Sequence, residues 1–251
     1  MLQTLTKGKL KAVLNRGREP REDTVFGALL GCTAYQDTQT SWSVVRILLG
    51  EVLSPWTEPP ESLRVDLWQR RKLEDRFVEP DAVIDVMFKG GPLRLILEAK
   101  WDASFHEKQA SRQWLCFSQN RINTLHVFIV RSAEQATRHW EDEDQSLDVD
   151  ARFAGWKECR RLVTWNAVAT RLQQTPYGLP SHIEHWRRDA LRVLNMFGEK
   201  TFEGFDHLPA FDRPPAISPV KPAFFNSAAF EWPRVIIPAT TTPAFFQVAT
   251  Q

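Results

Sequence analysis

The chain has 251 residues, and its 32 basic and 31 acidic side chains leave a formal net charge of +1. That balance excludes a uniformly basic, nucleic-acid-coating protein, although positive charge confined to one groove is compatible with it. The length suits one α/β domain with additions, and the chain has no apolar run long enough to span a bilayer and no apolar leader, so a soluble, cytoplasmic protein is expected. Three scattered cysteines, Cys32, Cys116 and Cys159, lack metal-ligand spacing and argue against a disulfide framework.

In chain order, residues 1–19 form a basic segment with Lys7, Lys9, Lys11, Arg16 and Arg18 against Glu19. This composition suits a backbone-contacting arm or a solvated terminus. Residues 20–208 carry the regular periodicities. Arg21 to Thr33 places Val25, Leu29 and Leu30 on one helical face, and a second helical pattern runs from Ser41 to Leu53. Leu63 to Gln69 alternates as a strand, and the segment EPDAVIDVMFKGGPLRLILEAKW from Glu79 to Trp101 reads as a β-hairpin. A helix is expected over Phe105 to Phe117 and a buried strand over Leu125 to Val130. Arg161 to Trp165 reads as a strand, Asn166 as the N-cap of a helix through Gln173, and His182 to Phe197 as a final helix. From residue 209 to 251 prolines recur among Phe224, Phe225, Phe230, Trp232, Phe245 and Phe246, as in an extended arm laid across the domain or another subunit.

The hairpin carries the chemistry. With Lys89 to Pro92 as its turn, Val86 faces Leu95, Ile84 faces Leu97 and Ala82 faces Ala99, which makes one face apolar. The other face then sets Met87 against Arg94, Asp85 against Ile96, Val83 against Glu98 and Asp81 against Lys100. Carboxylates gathered beside apolar residues repel each other and lose hydration, a cost that a hard divalent cation removes. Such oxygen-rich sites suit Mg2+ or Mn2+, and a neighbouring lysine is placed to handle a metal-bound water. The implied chemistry is phosphodiester hydrolysis.

Pro80-Asp81 followed by Glu98-Ala99-Lys100 resembles the PD-(D/E)XK nuclease superfamily. The resemblance implies a restriction-endonuclease-like αβββαβ core with a mixed sheet, here with extra C-terminal helices and the extended Pro/Phe-rich tail. It also implies Asp81, Glu98 and the Ala99 carbonyl as metal ligands, with Asp85 as the rival of Asp81, and Lys100 as the water-handling base. Glu22 resembles the acid that many members add from a preceding helix, and Gln113 or Gln109 resembles their helical glutamine. The implied partner is nucleic acid, DNA favoured over RNA, cut by a homo-oligomer or a subunit of a larger complex. The competing expectation is a binding or scaffolding subunit that keeps the fold without turnover.

Other features have plainer readings. His182 and His185 lie three apart without a third ligand nearby, which fits a surface or capping role. The acidic run Glu141 to Asp144 lacks the turn glycine of a calcium loop and reads as a solvated loop. Trp101 and Trp114 flank the site closely enough to stack on a base, although most tryptophans fill cores.

Overall fold

The computed structural model describes residues 21–101, 103–118, 122–147, 153, 155–174 and 180–199. Backbone proximity divides the chain into Met1–Phe202 and Glu203–Gln251. The basic segment 1–19 and the tail 209–251 lie outside the described residues.

Helix α1 (Arg21–Leu30) leads into α2 (Thr38–Leu49), whose N-terminus is closed by the Asp37 side chain accepting from the Thr40 N–H. Then come β1 (Ser62–Leu67), a short ribbon of β2 (Arg71–Leu73) and β3 (Arg76–Val78), β4 (Ala82–Phe88) and β5 (Gly91–Ala99). Helix α3 (Gln109–Phe117) crosses to β6 (Asn123–Val130), and α4 (Ala133–Leu147) with the short α5 (Trp156–Cys159) crosses to β7 (Arg160–Thr164). Helices α6 (Trp165–Gln174) and α7 (Ser181–Met196) follow.

The main sheet has the order β1-β4-β5-β6-β7, antiparallel through β5 and parallel beyond it. The expected αβββαβ order is present, in a mixed α/β architecture compatible with a restriction-endonuclease-like fold. Strand alternation sends Ala82, Ile84, Val86, Leu95 and Leu97 into one core with residues of α1, α2, α6 and α7. Val83, Ile96 and Phe128 enter a second core with α3 and α4. The sheet is therefore buried on both faces, as its parallel half requires.

The hairpin register differs from the expected one. Phe88 pairs with Gly91, Val86 with Leu93, Ile84 with Leu95 and Ala82 with Leu97, so the turn is the two residues Lys89-Gly90. The expected turn ran from Lys89 to Pro92. In a two-residue hairpin the flanking pair exchanges the hydrogen bonds, so the next residue, Pro92, directs its nitrogen away from β4. Beyond it β6 begins only opposite Leu93, so no ladder bond is lost. The displacement is two residues, which keeps every side chain on its expected face. It changes the partners: Asp85 lies opposite Arg94, and continuing the register brings Asp81 opposite Glu98.

Two further expectations are corrected. Thr164, not Asn166, caps α6, its Oγ1 accepting from the Ala167 N–H at 3.1 Å. A two-residue error in a strand-to-helix junction moves the cap this way, and loss of such a cap costs ~1 kcal/mol. The acidic run is not a loop: Glu141 to Asp144 lie in α4, and Glu143 is buried with its Oε2 accepting from the Ser111 N–H at 3.0 Å. Its carboxylate thus satisfies a donor in the first turn of α3, where negative charge is favoured.

Candidate active site

The site forms where β4 begins and β5 ends. A parallel pair opens a crevice at the carboxyl ends of its strands, and Glu98, Ala99 and Lys100 lie at the end of β5 beside β6, with the Lys100 N–H donating to the Ile129 carbonyl at 2.7 Å. The Trp165 indole N–H donates to the Lys100 carbonyl at 2.9 Å. With its backbone held on both sides, Lys100 sends its side chain to Glu98, Nζ lying 2.7 Å from Oε1. Both side chains are buried, Glu98 at 2% and Lys100 at 7% relative exposure, so solvent does little to weaken the pair.

Asp81 turns its carboxylate across the strand end, Oδ2 accepting from the Ala99 N–H at 2.7 Å. The N–H and C=O of a strand residue point to the same side, so the Ala99 carbonyl faces Asp81 as well. Loss of hydration, with the Glu98 charge adding to it, raises the Asp81 pKa well above the ordinary carboxylate value; Lys100 and the Ala99 N–H oppose that rise. Asp23 of α1 raises it further. The acid expected from the preceding helix was Glu22, whose side chain lies outside the described residues, whereas Asp23 is near enough for Asp81 to feel its charge. Neighbouring acids in one helical turn cannot be told apart by pattern alone.

The helical glutamines need not be chosen between. Gln109 and Gln113 stand one turn apart on α3, the spacing that puts two side chains on one face. Gln109 Nε2 donates to Glu98 Oε1 at 2.6 Å and Gln113 Nε2 donates to Oε2 at 2.5 Å. Gln113 Oε1 lies 3.1 Å from His126 Nε2 on β6, a residue that pattern reading passed over because it sits inside an apolar strand. Its signal was that a polar residue at a wholly buried strand position needs a polar partner.

Asp85 takes no part in this group. Its Oδ1 accepts from Arg94 Nε at 2.6 Å, and Arg64 lies 3.9 Å from Oδ2. Arg94 is buried and also donates to the Phe117 carbonyl at 2.9 Å. Asp85→Asn is therefore expected to cost ~1–3 kcal/mol by leaving a buried guanidinium poorly paired, and to leave turnover near that of the wild type, as denaturation and activity measurements would show. Trp101 and Trp114 are buried in the cores and are not positioned as stacking platforms. The His182 Nε2 lies 3.2 Å from Thr40 Oγ1 at the start of α2.

The donor set fits a hard divalent cation. Asp81 is held against its own charge beside a second carboxylate and a backbone carbonyl, and hard oxygens without soft ligands suit Mg2+ or Mn2+. Among the described residues no group of three or more His, Cys, Asp or Glu is gathered for a metal, so two carboxylates, one carbonyl and waters would complete the shell.

No family model and no curated protein matches the chain. A solved structure of the MspJI restriction endonuclease in complex with a 27-mer oligonucleotide is similar. The likeness covers 79% of this chain and 35% of that one, with 14% sequence identity and a TM-score of 0.31. This chain thus spans about a third of the length of that one. No helix among the described residues is long and apolar enough to cross a membrane.

Proposed function

We propose that the protein is a metal-dependent nuclease that hydrolyses phosphodiester bonds, DNA favoured as substrate. The observation that carries this reading is the Asp81–Glu98 pair, a strained juxtaposition of acids where β4 begins and β5 ends, with Lys100 ion-paired to one of them. Asp81, Glu98 and the Ala99 carbonyl would hold Mg2+ or Mn2+, which would supply Lewis acidity there. Lys100 orients the attacking water and handles its proton. Gln109 and Gln113 hold Glu98 in the orientation that faces Asp81.

The β2–β3 ribbon supports a nucleic-acid substrate. Its inner residues Leu73 and Val78 pack against the α3 side of the molecule. Lys72 and Phe77 pair across its outer face, where Phe77 is 60% exposed and the Arg70 guanidinium lies 4.1 Å from its ring centre. Cations beside an exposed aromatic ring suit a phosphate backbone and a stacked base. Only Val78, Glu79 and Pro80 separate Phe77 from Asp81. Phe77→Ala is expected to weaken oligonucleotide binding about tenfold without lowering stability, as measured by fluorescence anisotropy.

The test of function is incubation of the protein with plasmid, linear duplex and single-stranded substrates, with Mg2+ and with a chelator. Cleavage that the chelator abolishes is expected. Binding without cleavage under every condition would favour the competing reading, a nucleic-acid-binding or scaffolding subunit.

A further inference from the structure

Behind Gln113 the hydrogen-bond array continues away from solvent. The Trp156 indole Nε1 lies 3.1 Å from His126 Nδ1, and an indole N–H can only donate. His126 Nδ1 must therefore be the bare nitrogen, which leaves the proton of the neutral ring on Nε2. Burial, with the charge of Arg160 adding to it, pushes the His126 pKa down to about 3, so the ring is neutral at neutral pH. The Nε2–H then donates to Gln113 Oε1, and the Gln113 amide is left with one orientation, its NH2 toward Glu98. Every bond in the array runs the same way and ends on the Glu98 carboxylate.

We propose that His126 is a positioning residue for the active site, one whose tautomer, set by Trp156, fixes the Gln113 amide so that it can only donate to Glu98. Without His126 the Gln113 Oε1 loses its buried partner and the side chain is free to leave this rotamer, so the bond that holds Glu98 toward Asp81 is no longer fixed in place. A merely space-filling histidine would be replaced without consequence by any side chain of its shape. Phenylalanine keeps an aromatic ring against Phe128, whose ring centre lies 4.3 Å away, and so tests that alternative. The functional consequence rests on the cation site proposed above, whereas the tautomer and the amide orientation do not.

The test compares His126→Phe, which keeps the ring shape and loses both hydrogen bonds, with His126→Gln, whose amide supplies one donor and one acceptor. Titrating Mn2+ into the full chain by calorimetry, His126→Phe should lose affinity about 10- to 100-fold, the range found when a partner behind a metal ligand is removed. His126→Gln should recover most of it. Gln113→Leu should lower affinity to the same level, and the Phe and Leu substitutions together should be no worse than either alone. A folded His126→Phe variant with wild-type Mn2+ affinity, or losses that add in the double variant, would overturn the proposal. Nitrogen-15 spectra of the wild type decide the tautomer independently of any variant or metal. An Nε2–H ring that does not titrate between pH 5 and 8, and slowly exchanging Gln113 amide protons, are expected. An Nδ1–H ring would overturn the proposal. If the spectra agree and no Mn2+ binds the wild type, it is the cation site that fails.

Discussion

Replacing Asp81 with asparagine should raise the melting temperature of the metal-free protein at neutral pH and abolish cleavage. The Asp81 carboxyl is held above its ordinary pKa by burial and by Glu98. Between the unfolded and folded pKa values the native state keeps a proton that the unfolded chain has released, so stability falls as pH rises through that window and stays low above it. Asparagine removes that cost, and its side-chain oxygen can still accept from the Ala99 N–H. Wild-type stability should therefore decline from acidic to neutral pH more steeply than that of Asp81→Asn. Added Mg2+ should stabilise the wild type, since a ligand that binds only the native state shifts the equilibrium toward it, and should leave the variant unmoved. Thermal melts across pH, with and without Mg2+, measure all of this. Identical pH profiles for the two proteins would show that Asp81 is not strained.

Lys100→Ala should lower cleavage by a factor of about 100 or more and should also destabilise the fold, which a surface lysine would not do. A lysine at an exposed strand end could be removed at little cost to a core. The structure instead buries Lys100 against Glu98. Removing one partner of a buried pair leaves the other charge uncompensated and costs ~3–5 kcal/mol. The two effects separate in a double variant. Lys100→Met with Glu98→Gln removes both charges from similar volumes and should regain most of the lost stability with no return of activity. Recovery of cleavage in that variant would mean that neither side chain takes part in turnover.

The alternation of β4 and β5 made the hairpin legible, because period two assigns faces whatever the register. That is why Asp81, Glu98 and Lys100 were found on one face from an alignment displaced by two residues. The displacement itself depended on a local fact, whether Pro92 sat in the turn or just beyond it, which hydropathy does not record. Glu143 and His126 were harder. An acid in a charged run reads as solvated, and only the approach of α4 to the N-terminus of α3 makes Glu143 a buried cap. The partners of His126, on α3 and α5, are distant in sequence and become neighbours only once the two crossovers are in place. Arg94 could be read from the sequence as a diagonal neighbour of Asp85, and the corrected register sets it directly opposite.

The central claim is that Asp81 and Glu98 share one divalent cation. Calorimetric titration of Mn2+ into metal-free protein tests it directly, with Asp81→Asn, Glu98→Gln and Asp85→Asn alongside the wild type. Binding of one cation per chain is expected in the wild type and in Asp85→Asn, with none in the other two. Equal binding in all four proteins, or loss in Asp85→Asn with retention in Asp81→Asn, would contradict it.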